Sequence, residues 1–270
     1  MHNLRNPPET DRKVKTMENY FDKTFELRYS EMDKSGDTSP TTILTLLEET
    51  AADHCYSINT SLYDLKEQDL GWVLLSGIIQ MERYPIYKEK ITIRTWLSSY
   101  SFIKGVRENI IYDEQGNVIG RAKGLWLFFD IKRRRPVQIF DSIKEQWSYC
   151  SEESIKQTIA PNIEAPDSAS NVKKYAVNRF DIDMYQHLNN IRYLQWVIDS
   201  IDEDIVDTYY LSSIEGRFVA EAKNGESIIS LTKKDVNDNS FIHIIKTQDS
   251  NKVCATAKTI WRKKQPLFAR

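Results

Sequence analysis

The chain has 270 residues, which is long enough for one large domain or two small domains with a well-buried core. Its 37 Lys and Arg residues against 39 Asp and Glu residues give a net charge of -2, which excludes the strongly basic class typical of nucleic-acid-binding proteins. Three widely spaced cysteines and four histidines form no zinc-binding pattern, so we expect neither a metal nor another cofactor. No apolar run is long enough to insert into a membrane, and the odd number of thiols favours a reducing compartment, the cytoplasm.

The first half begins with residues 1–16, which lack the apolar core of a signal peptide and are expected to be disordered. A strand is predicted at residues 21–29, and a polar turn follows it. Ser39 as N-cap and Pro40 as first helical residue then mark a helix of about four turns, because apolar residues recur there at spacings of three and four. Later apolar runs predict strands at residues 73–81, 91–97, 106–112 and 118–129, the last two forming a hairpin.

The second half of the chain repeats the first. A repeat this long indicates a duplicated domain rather than a solenoid. Between the halves, the polar composition and the prolines predict a linking helix at residues 141–153 and a surface loop at residues 154–170. The matching pairs of segments are residues 28–29 with 179–180, residues 89–93 with 225–229, and residues 117–126 with 252–261.

Each half is predicted to contain a strand, a long apolar helix and about four antiparallel strands. An apolar helix must be covered, and so must the apolar face of a sheet. We therefore predict an α+β tandem hot-dog fold, in which each long central helix is wrapped by an antiparallel sheet and the two sheets join edge to edge. The predicted units are an N-terminal hot-dog at residues 17–140, a linker at 141–170 and a C-terminal hot-dog at 171–270.

One stretch of the second half combines an acid and a histidine directly before an apolar helix. Asp183 and His187 lie on the turn that enters this helix, and Asn189 or Asn190 is placed to cap it. Unpaired backbone N–H groups at a helix start can face a polarised oxygen. The residues by themselves fit either a hydrolytic centre or a plain helix cap.

The run Asp181-Ile-Asp-Met-Tyr-Gln-His-Leu-Asn-Asn190, followed by Tyr193, Trp196 and Asp199, resembles the signature of acyl–acyl-carrier-protein (acyl-ACP) thioesterases. Residues 46–51, 71–74 and 83–85 also look like this family at the matching places. The resemblance covers roughly residues 21–264 and is to the bacterial type. It implies a double hot-dog hydrolase that acts in fatty acid biosynthesis, releasing free fatty acid from acylated carrier protein.

Carried over from the resemblance, the catalytic residues are Asp183, His187 and Glu221, with possible support from Asn189 and Asn190. The cysteine that follows the glutamate in many plant members is replaced here by Ala222. A cysteine nucleophile is therefore impossible at this position, and general-base attack by water remains.

Tyr185 stands where the family has asparagine. Either it is a substitution without a role, or its hydroxyl donates the hydrogen bond that the amide would have made. The turn at residues 30–40 of the first half has no histidine. We therefore expect one active site, in the C-terminal unit, while the N-terminal unit binds the acyl chain.

The expected acyl pocket and carrier-binding surface are less specific, because apolar residues are often plain core and charge runs are often only solvated. An acyl-coenzyme A thioesterase, a dehydratase and a non-catalytic acyl-binding hot-dog protein remain alternatives, and the protein is expected to be a monomer or a homodimer. Candidate pocket residues are Ile43, Leu47, Ala51, Trp72, Leu74 and Ile78. Candidate carrier contacts are Arg133, Arg134, Arg135, Lys173 and Lys174, with Lys132 and residues 262–264 as further basic positions.

Overall fold

The computed structural model describes residues 20–147, 149–164, 168–235 and 239–264. The segment 1–16, expected to be disordered, lies outside these residues. No helix within the described ranges is long and apolar enough to span a membrane.

Each repeat opens with a strand and a central helix and continues with antiparallel strands. The first repeat contains β1 (Phe21–Glu26), α1 (Pro40–Ser57), α2 (Leu62–Glu67), β2 (Leu70–Met81), β3 (Lys90–Tyr100), β4 (Lys104–Tyr112), β5 (Val118–Asp130) and β6 (Arg135–Pro136). After the short helix α3 (Asp141–Lys144), the second repeat contains β7 (Asn171–Ala176), α4 (Asn190–Asp199), α5 (Glu203–Thr208), β8 (Tyr209–Phe218), β9 (Ser227–Lys234), β10 (Ser240–Thr247) and β11 (Val253–Lys263).

The strands of both repeats form one continuous antiparallel sheet in the order β1-β3-β4-β5-β2-β8-β11-β10-β9-β7, with β6 paired to β5. The repeats meet where β2 pairs with β8, between Ser76–Gln80 and Ser213–Arg217. This pairing confirms the predicted edge-to-edge join, which removes two exposed strand edges from the molecule. The central helices α1 and α4 contact each other on one face of the sheet.

The two central helices differ in length, although both start as predicted. The Ser39 side chain accepts a hydrogen bond from the Thr42 backbone N–H at 3.1 Å, and Asn189 Oδ1 accepts one from the Ile191 N–H at 2.8 Å. α1 has 18 residues, but α4 has only 10, so the prediction of two long helices is correct only for the first repeat. α4 ends at Asp199, and the buried hydroxyl of the C-cap residue Ser200 contacts the side chain of Ser230 on β9.

The prediction of a linking helix at residues 141–153 is wrong, because helix α3 ends at Lys144. The chain then turns so that Trp147 packs on Trp72, with ring centroids 5.0 Å apart. The Cys150 N–H donates to the Leu97 carbonyl at 3.0 Å. Burial of a large aromatic ring and pairing with β3 outweigh the local helical pattern, and the segment covers one end of the first repeat.

The structure shifts the predicted match between the repeats by one residue. The 3₁₀ turns that precede the central helices are Tyr29–Glu31 and Arg179–Asp181, so Tyr29 corresponds to Arg179. The left-handed residues Gly36 and Gln186, with φ of 80° and 64°, occupy the same place in the two turns. Backbone geometry therefore aligns the repeats better than the pair of arginines in the sequence does.

Candidate active site

Asp183 shapes the turn that carries His187. Its backbone N–H donates to the His187 carbonyl at 2.8 Å, and its Oδ1 accepts from the backbone N–H groups of Tyr185 at 2.8 Å and His187 at 3.1 Å. Gln186 completes the turn in the left-handed region. These hydrogen bonds fix the path of the backbone and so hold the partly buried imidazole at the start of α4.

Glu221 lies on the segment after β8, and α4 holds this segment in place. The Tyr193 hydroxyl accepts from the Ala222 N–H at 2.9 Å and donates to the Ala220 carbonyl at 3.4 Å, so it contacts the backbone on both sides of Glu221. Lys252 Nζ donates to the Glu221 carbonyl at 2.7 Å. The backbone of Glu221 is therefore fixed from two directions.

The carboxylate of Glu221 lies between two cationic or basic groups. Glu221 Oε1 is 3.4 Å from His187 Nε2, and Glu221 Oε2 is 2.8 Å from Arg134 Nη2. Arg134 belongs to the first repeat, so both repeats contribute to this cluster. The structure thus brings together His187 and Glu221, which are far apart in sequence, and adds a guanidinium.

The start of α4 offers a hydrogen-bond donor beside this cluster. Asn189 uses its side-chain oxygen for the Ile191 N–H and its carbonyl for the Arg192 N–H. Within the described residues, the N–H of Asn190 has no acceptor. It points from the positive end of the helix and is suited to a carbonyl oxygen that gains negative charge.

A cavity of about 710 Å³ extends from this cluster into the first repeat. Ala51, Trp72 and Leu74 line it, together with Asp183, Tyr185, His187, Asn189, Asn190 and Glu221. Leu47 and Ile78 line a second cavity of about 80 Å³, which Ala51 and Leu74 also border. Ile43 lines neither cavity and lies in the main hydrophobic core.

Tyr185 connects the catalytic turn to the first repeat. Its hydroxyl donates to the Leu62 carbonyl at 3.1 Å, and its ring lies against Gly71, where an added Cβ would meet Tyr185 Cε1 at 3.2 Å. Burial, assisted by the nearby Asp183, raises the pKa of Tyr185 to about 12. The hydroxyl hydrogen bond therefore goes to the backbone of α2.

The basic candidates lie in two separate regions. Arg134 borders the cavity, and Arg133 beside it contacts Asp130 at 3.2 Å while Arg135 is exposed on β6. Lys173 and Lys174 lie on β7 at the far edge of the sheet, where Lys173 pairs with Asp199 at 3.2 Å. Two lysines that the sequence analysis did not select, Lys223 and Lys252, also border the cavity.

The thiols are poorly suited to nucleophilic attack. Cys55 lines the cavity, and burial raises the pKa of its thiol. Cys254 is buried with a raised pKa as well, and neither it nor Cys150 forms a disulfide. In the part of the chain that the structure describes, no three His, Cys, Asp or Glu side chains are grouped so as to hold a metal ion.

Sequence reasoning missed Glu48 on α1, which lines both cavities. Burial, followed by the repulsion of Asp183, raises the pKa of this carboxyl to about 7. A signal was present: Glu48 falls at helical spacing between Leu44 and Cys55, so it is a charged residue on the apolar face of α1. Perturbed carboxyls in a cavity are candidates for functional groups.

A tandem hot-dog fold with a histidine–carboxylate contact at the mouth of a cavity defines the broad class, a hot-dog protein with a hydrolase-like site. The family model for the acyl-ACP thioesterase N-terminal domain matches residues 18–147, and the model for the C-terminal domain matches residues 164–263. The chain therefore belongs to the acyl-ACP thioesterase family, as the resemblance of its motif indicated.

Similar proteins come from plants and bacteria. The chloroplastic oleoyl-acyl carrier protein thioesterase 2 of Arabidopsis thaliana is 27% identical over 264 residues, covering 83% of this chain and 71% of the relative. The structure of an acyl-ACP thioesterase from Bacteroides thetaiotaomicron matches with a TM-score of 0.81 at 22% identity, covering 90% of this chain and 98% of the other. That of the 12:0-ACP thioesterase from Umbellularia californica matches with a TM-score of 0.82 at 20% identity, covering 92% and 99%. These structures confirm the double hot-dog fold.

Proposed function

We propose that this protein hydrolyses the thioester of acyl-ACP and releases free fatty acid for fatty acid biosynthesis. The observation that carries the proposal is the 3.4 Å contact between His187 Nε2 and Glu221 Oε1 at the mouth of the 710 Å³ cavity. Membership of the acyl-ACP thioesterase family supports the choice of reaction, and the relatives are named for the same chemistry.

In this mechanism the thioester carbonyl lies at the start of α4. The Asn190 N–H and the positive end of the helix polarise the carbonyl oxygen and stabilise the tetrahedral oxyanion. Asp183 contributes through the turn, because its carboxylate accepts the backbone N–H groups of Tyr185 and His187. It acts as a positioning residue for the imidazole.

His187 is the general base for water. Its Nε2 faces Glu221, so the ring is held with its other nitrogen, Nδ1, available to accept a proton. The water oxygen attacks the carbonyl carbon while its proton passes to His187, and Glu221 stabilises the imidazolium. The intermediate then collapses, the carbon–sulfur bond breaks, and the proton returns from the imidazolium to the leaving thiolate. Ala222 stands in place of the family's cysteine, Cys55 and Cys254 are buried with raised pKa values, and Cys150 does not line the cavity.

The cavity in the first repeat receives the acyl chain. Ala51, Trp72 and Leu74 form part of its wall, and the smaller cavity beside Leu47 and Ile78 adds apolar surface further in. Its volume falls within the range of about 300–1,000 Å³ that is usual for small-molecule sites. The first repeat is therefore the acyl-binding unit of the proposal.

The carrier protein approaches the cavity mouth, where Arg134, Lys223 and Lys252 form a cationic rim with Arg133 and Arg135 nearby. A cationic rim is complementary to an acidic carrier and to the phosphate of its prosthetic arm. Lys173 and Lys174 lie at the far sheet edge and are secondary candidates. A cytoplasmic location is part of the proposal and is supported by the unpaired thiols.

The test is release of free thiol from a panel of acyl-ACP substrates that differ in chain length, with the same acyl groups on coenzyme A in parallel. We expect turnover on acyl-ACP, and a His187→Ala variant should lose it. Faster turnover on coenzyme A would instead support an acyl-coenzyme A thioesterase. Binding of acyl-ACP without thiol release would support a non-catalytic acyl-binding protein.

A further inference from the structure

Glu48 stands where the two cavities meet. It lies on α1 of the first repeat, and it borders both the 710 Å³ cavity and the 80 Å³ cavity. Asn190, the first residue of α4, borders both cavities as well. A residue of one repeat and the helix start of the other therefore both lie where the two cavities adjoin.

The carboxyl of Glu48 has no hydrogen-bond or ion-pair partner among the described residues. Its neighbour Glu49 shows the ordinary alternative, because that side chain is mostly exposed and lies 3.8 Å from Lys23 Nζ. The Glu48 side chain is half-buried and borders the cavity, so its carboxyl is free to bind a molecule that enters there. Glu48 faces a cavity that is built to hold a ligand, so a ligand is the natural source of that partner.

The surroundings of Glu48 favour the protonated form. Burial is the main cause that raises its pKa to about 7, and the charge of Asp183 and then of Glu49 adds to it. The two cations on the smaller cavity are engaged elsewhere: Arg107 Nη1 contacts His54 and Thr95, and Lys123 Nζ contacts Glu153. The other titratable groups on the larger cavity are Asp183, Tyr185 and His187 on the catalytic turn, Tyr193 on α4, Cys55 on α1, and Arg134, Glu221, Lys223 and Lys252.

A protonated carboxyl is a hydrogen-bond donor, whereas a carboxylate only accepts. A donor on the same stretch of cavity wall as the start of α4 could bind the same oxygen as the Asn190 N–H. Negative charge that develops on that oxygen would favour the protonated form of the carboxyl still further. An acid kept neutral by an apolar site so that it can stabilise an oxyanion is an established chemical arrangement.

We propose that Glu48 is a further catalytic residue of this site: its protonated carboxyl donates a hydrogen bond to the thioester carbonyl oxygen and, with the Asn190 N–H, stabilises the oxyanion. The proposal rests on the proposed thioester hydrolysis and extends it to the first repeat. The oxyanion site is then shared, with one donor from each repeat.

Three variants test this role on acyl-ACP. Glu48→Gln keeps a donor of the same shape that does not titrate, Glu48→Ala removes the donor, and Glu49→Gln is the matched control on the exposed side of the same helix. Loss of one oxyanion donor lowers kcat by roughly 10²- to 10³-fold, which we expect for Glu48→Ala. Glu48→Gln should lose less than about tenfold, and Glu49→Gln should match the wild type.

The pH profile separates this role from a structural one. Below pH 7 the wild-type carboxyl is protonated and donates. Above pH 7 it loses its proton, so the ratio of wild-type to Glu48→Gln kcat should fall by roughly tenfold for each further pH unit. Melting curves of all variants, measured at each pH, report whether the protein stays folded.

Several outcomes would overturn the role of Glu48. If Glu48→Gln loses as much activity as Glu48→Ala, the carboxylate acts as a base. If Glu48→Ala keeps wild-type kcat, the carboxyl does not touch the reacting atoms. If the ratio of wild-type to Glu48→Gln kcat does not change between pH 6 and pH 9, the Glu48 carboxyl is not a donor that titrates in this range. These results leave the proposed function intact, whereas a wild-type protein that releases no thiol would overturn both.

Discussion

In the first repeat the turn before the central helix runs over residues 33–40, and in the second repeat it runs over residues 183–190. In both turns the leading aspartate accepts a backbone N–H at its Oδ1, from Ser35 at 2.7 Å and from Tyr185 at 2.8 Å. Both turns also have a left-handed residue at the same place and a side-chain cap on the helix that follows. The backbone of the site therefore exists twice in the molecule.

The chemistry exists only once, because individual positions differ. Where the second turn has His187, the first has Asp37, which carries no imidazole. Where α4 starts with Asn190, α1 starts with Pro40, and proline has no backbone N–H to offer an oxyanion. A duplicated fold thus supplies the geometry twice, but a base and a free donor together occur at one helix start.

The position of Glu221 also has a counterpart in the first repeat, and there too the chemistry differs. Lys88 and Gly225 have positive φ and occupy equivalent places in the connections that follow β2 and β8. Tyr84 and Glu221 each lie four residues before these positions, so Glu221 corresponds to Tyr84. Tyr84 is buried and its hydroxyl donates to the Leu211 carbonyl at 2.9 Å. Both side chains thus contact the other repeat, Tyr84 at Leu211 and Glu221 at Arg134, but only Glu221 also contacts a histidine.

The largest expected effect comes from removing the base. His187→Ala should lower kcat by roughly 10²- to 10⁴-fold, which is the usual contribution of general acid–base catalysis. Thiol release from acyl-ACP measures it, and binding of the same substrate serves as the control because the apolar wall of the cavity in the first repeat is unchanged. A variant that binds acyl-ACP normally and keeps more than a tenth of the wild-type kcat would contradict the role of His187.

The second prediction converts one helix start into the other. Asn190→Pro removes the proposed oxyanion donor and should lower kcat by roughly 10²- to 10³-fold. Proline is favoured at the first position of a helix, and Asn189 already has the extended ψ of 132° that a following proline requires, so the variant should fold. Pro40→Asn makes the reverse change in the first repeat and is the matched control. An active Asn190→Pro variant would move the oxyanion site elsewhere.

The fold was predictable because its signals are periodic or repeated: Ser39 and Pro40 mark a helix start, and matching apolar strands recur in both halves. The contact of His187 with Glu221 came only through the family motif, since no local pattern joins a turn to a segment after β8. The prediction of a linking helix failed because the packing of Trp147 on Trp72 is a tertiary contact that the local sequence does not show. Glu48 shares a cavity with Asp183 of the other repeat, and periodicity within α1 could show only that a charge lies on the apolar face.

Arg134 illustrates a further limit of sequence reasoning. It belongs to a run of four basic residues, and nothing in that run indicates which one turns toward the cavity. In the structure it adopts a left-handed φ of 52°, and its guanidinium contacts Glu221. Its neighbour Arg133 instead contacts Asp130, the last residue of β5.

The third prediction tests this link between the repeats. Arg134→Ala should lower kcat by up to about tenfold, because Glu221 loses one of the two groups that orient it. The melting temperature should change by less than about 3 °C, since the pair is largely exposed and such pairs contribute about 1 kcal/mol or less. Arg133→Ala is the neighbouring control and should keep the wild-type kcat. Equal losses in the two variants would show that the loop, rather than the contact with Glu221, matters.

The smallest effect on rate is expected at Tyr185, which corresponds to Ser35 in the first repeat. Its backbone N–H serves the turn as that of Ser35 does, so the hydroxyl is left to connect the turn to Leu62 on α2. Tyr185→Phe should therefore cost about 1 kcal/mol of stability, or roughly 2–4 °C in melting temperature, and change kcat by less than threefold.

Tyr193→Phe is the informative counterpart, because that hydroxyl contacts the backbone on both sides of Glu221 and its loss should reduce kcat more than that of Tyr185. If Tyr185→Phe lowers kcat further than Tyr193→Phe while its melting temperature stays at the wild-type value, the Tyr185 hydroxyl reaches the reacting groups. The asparagine of the family would then have a functional replacement here, and the two turns would differ in chemistry at one more position.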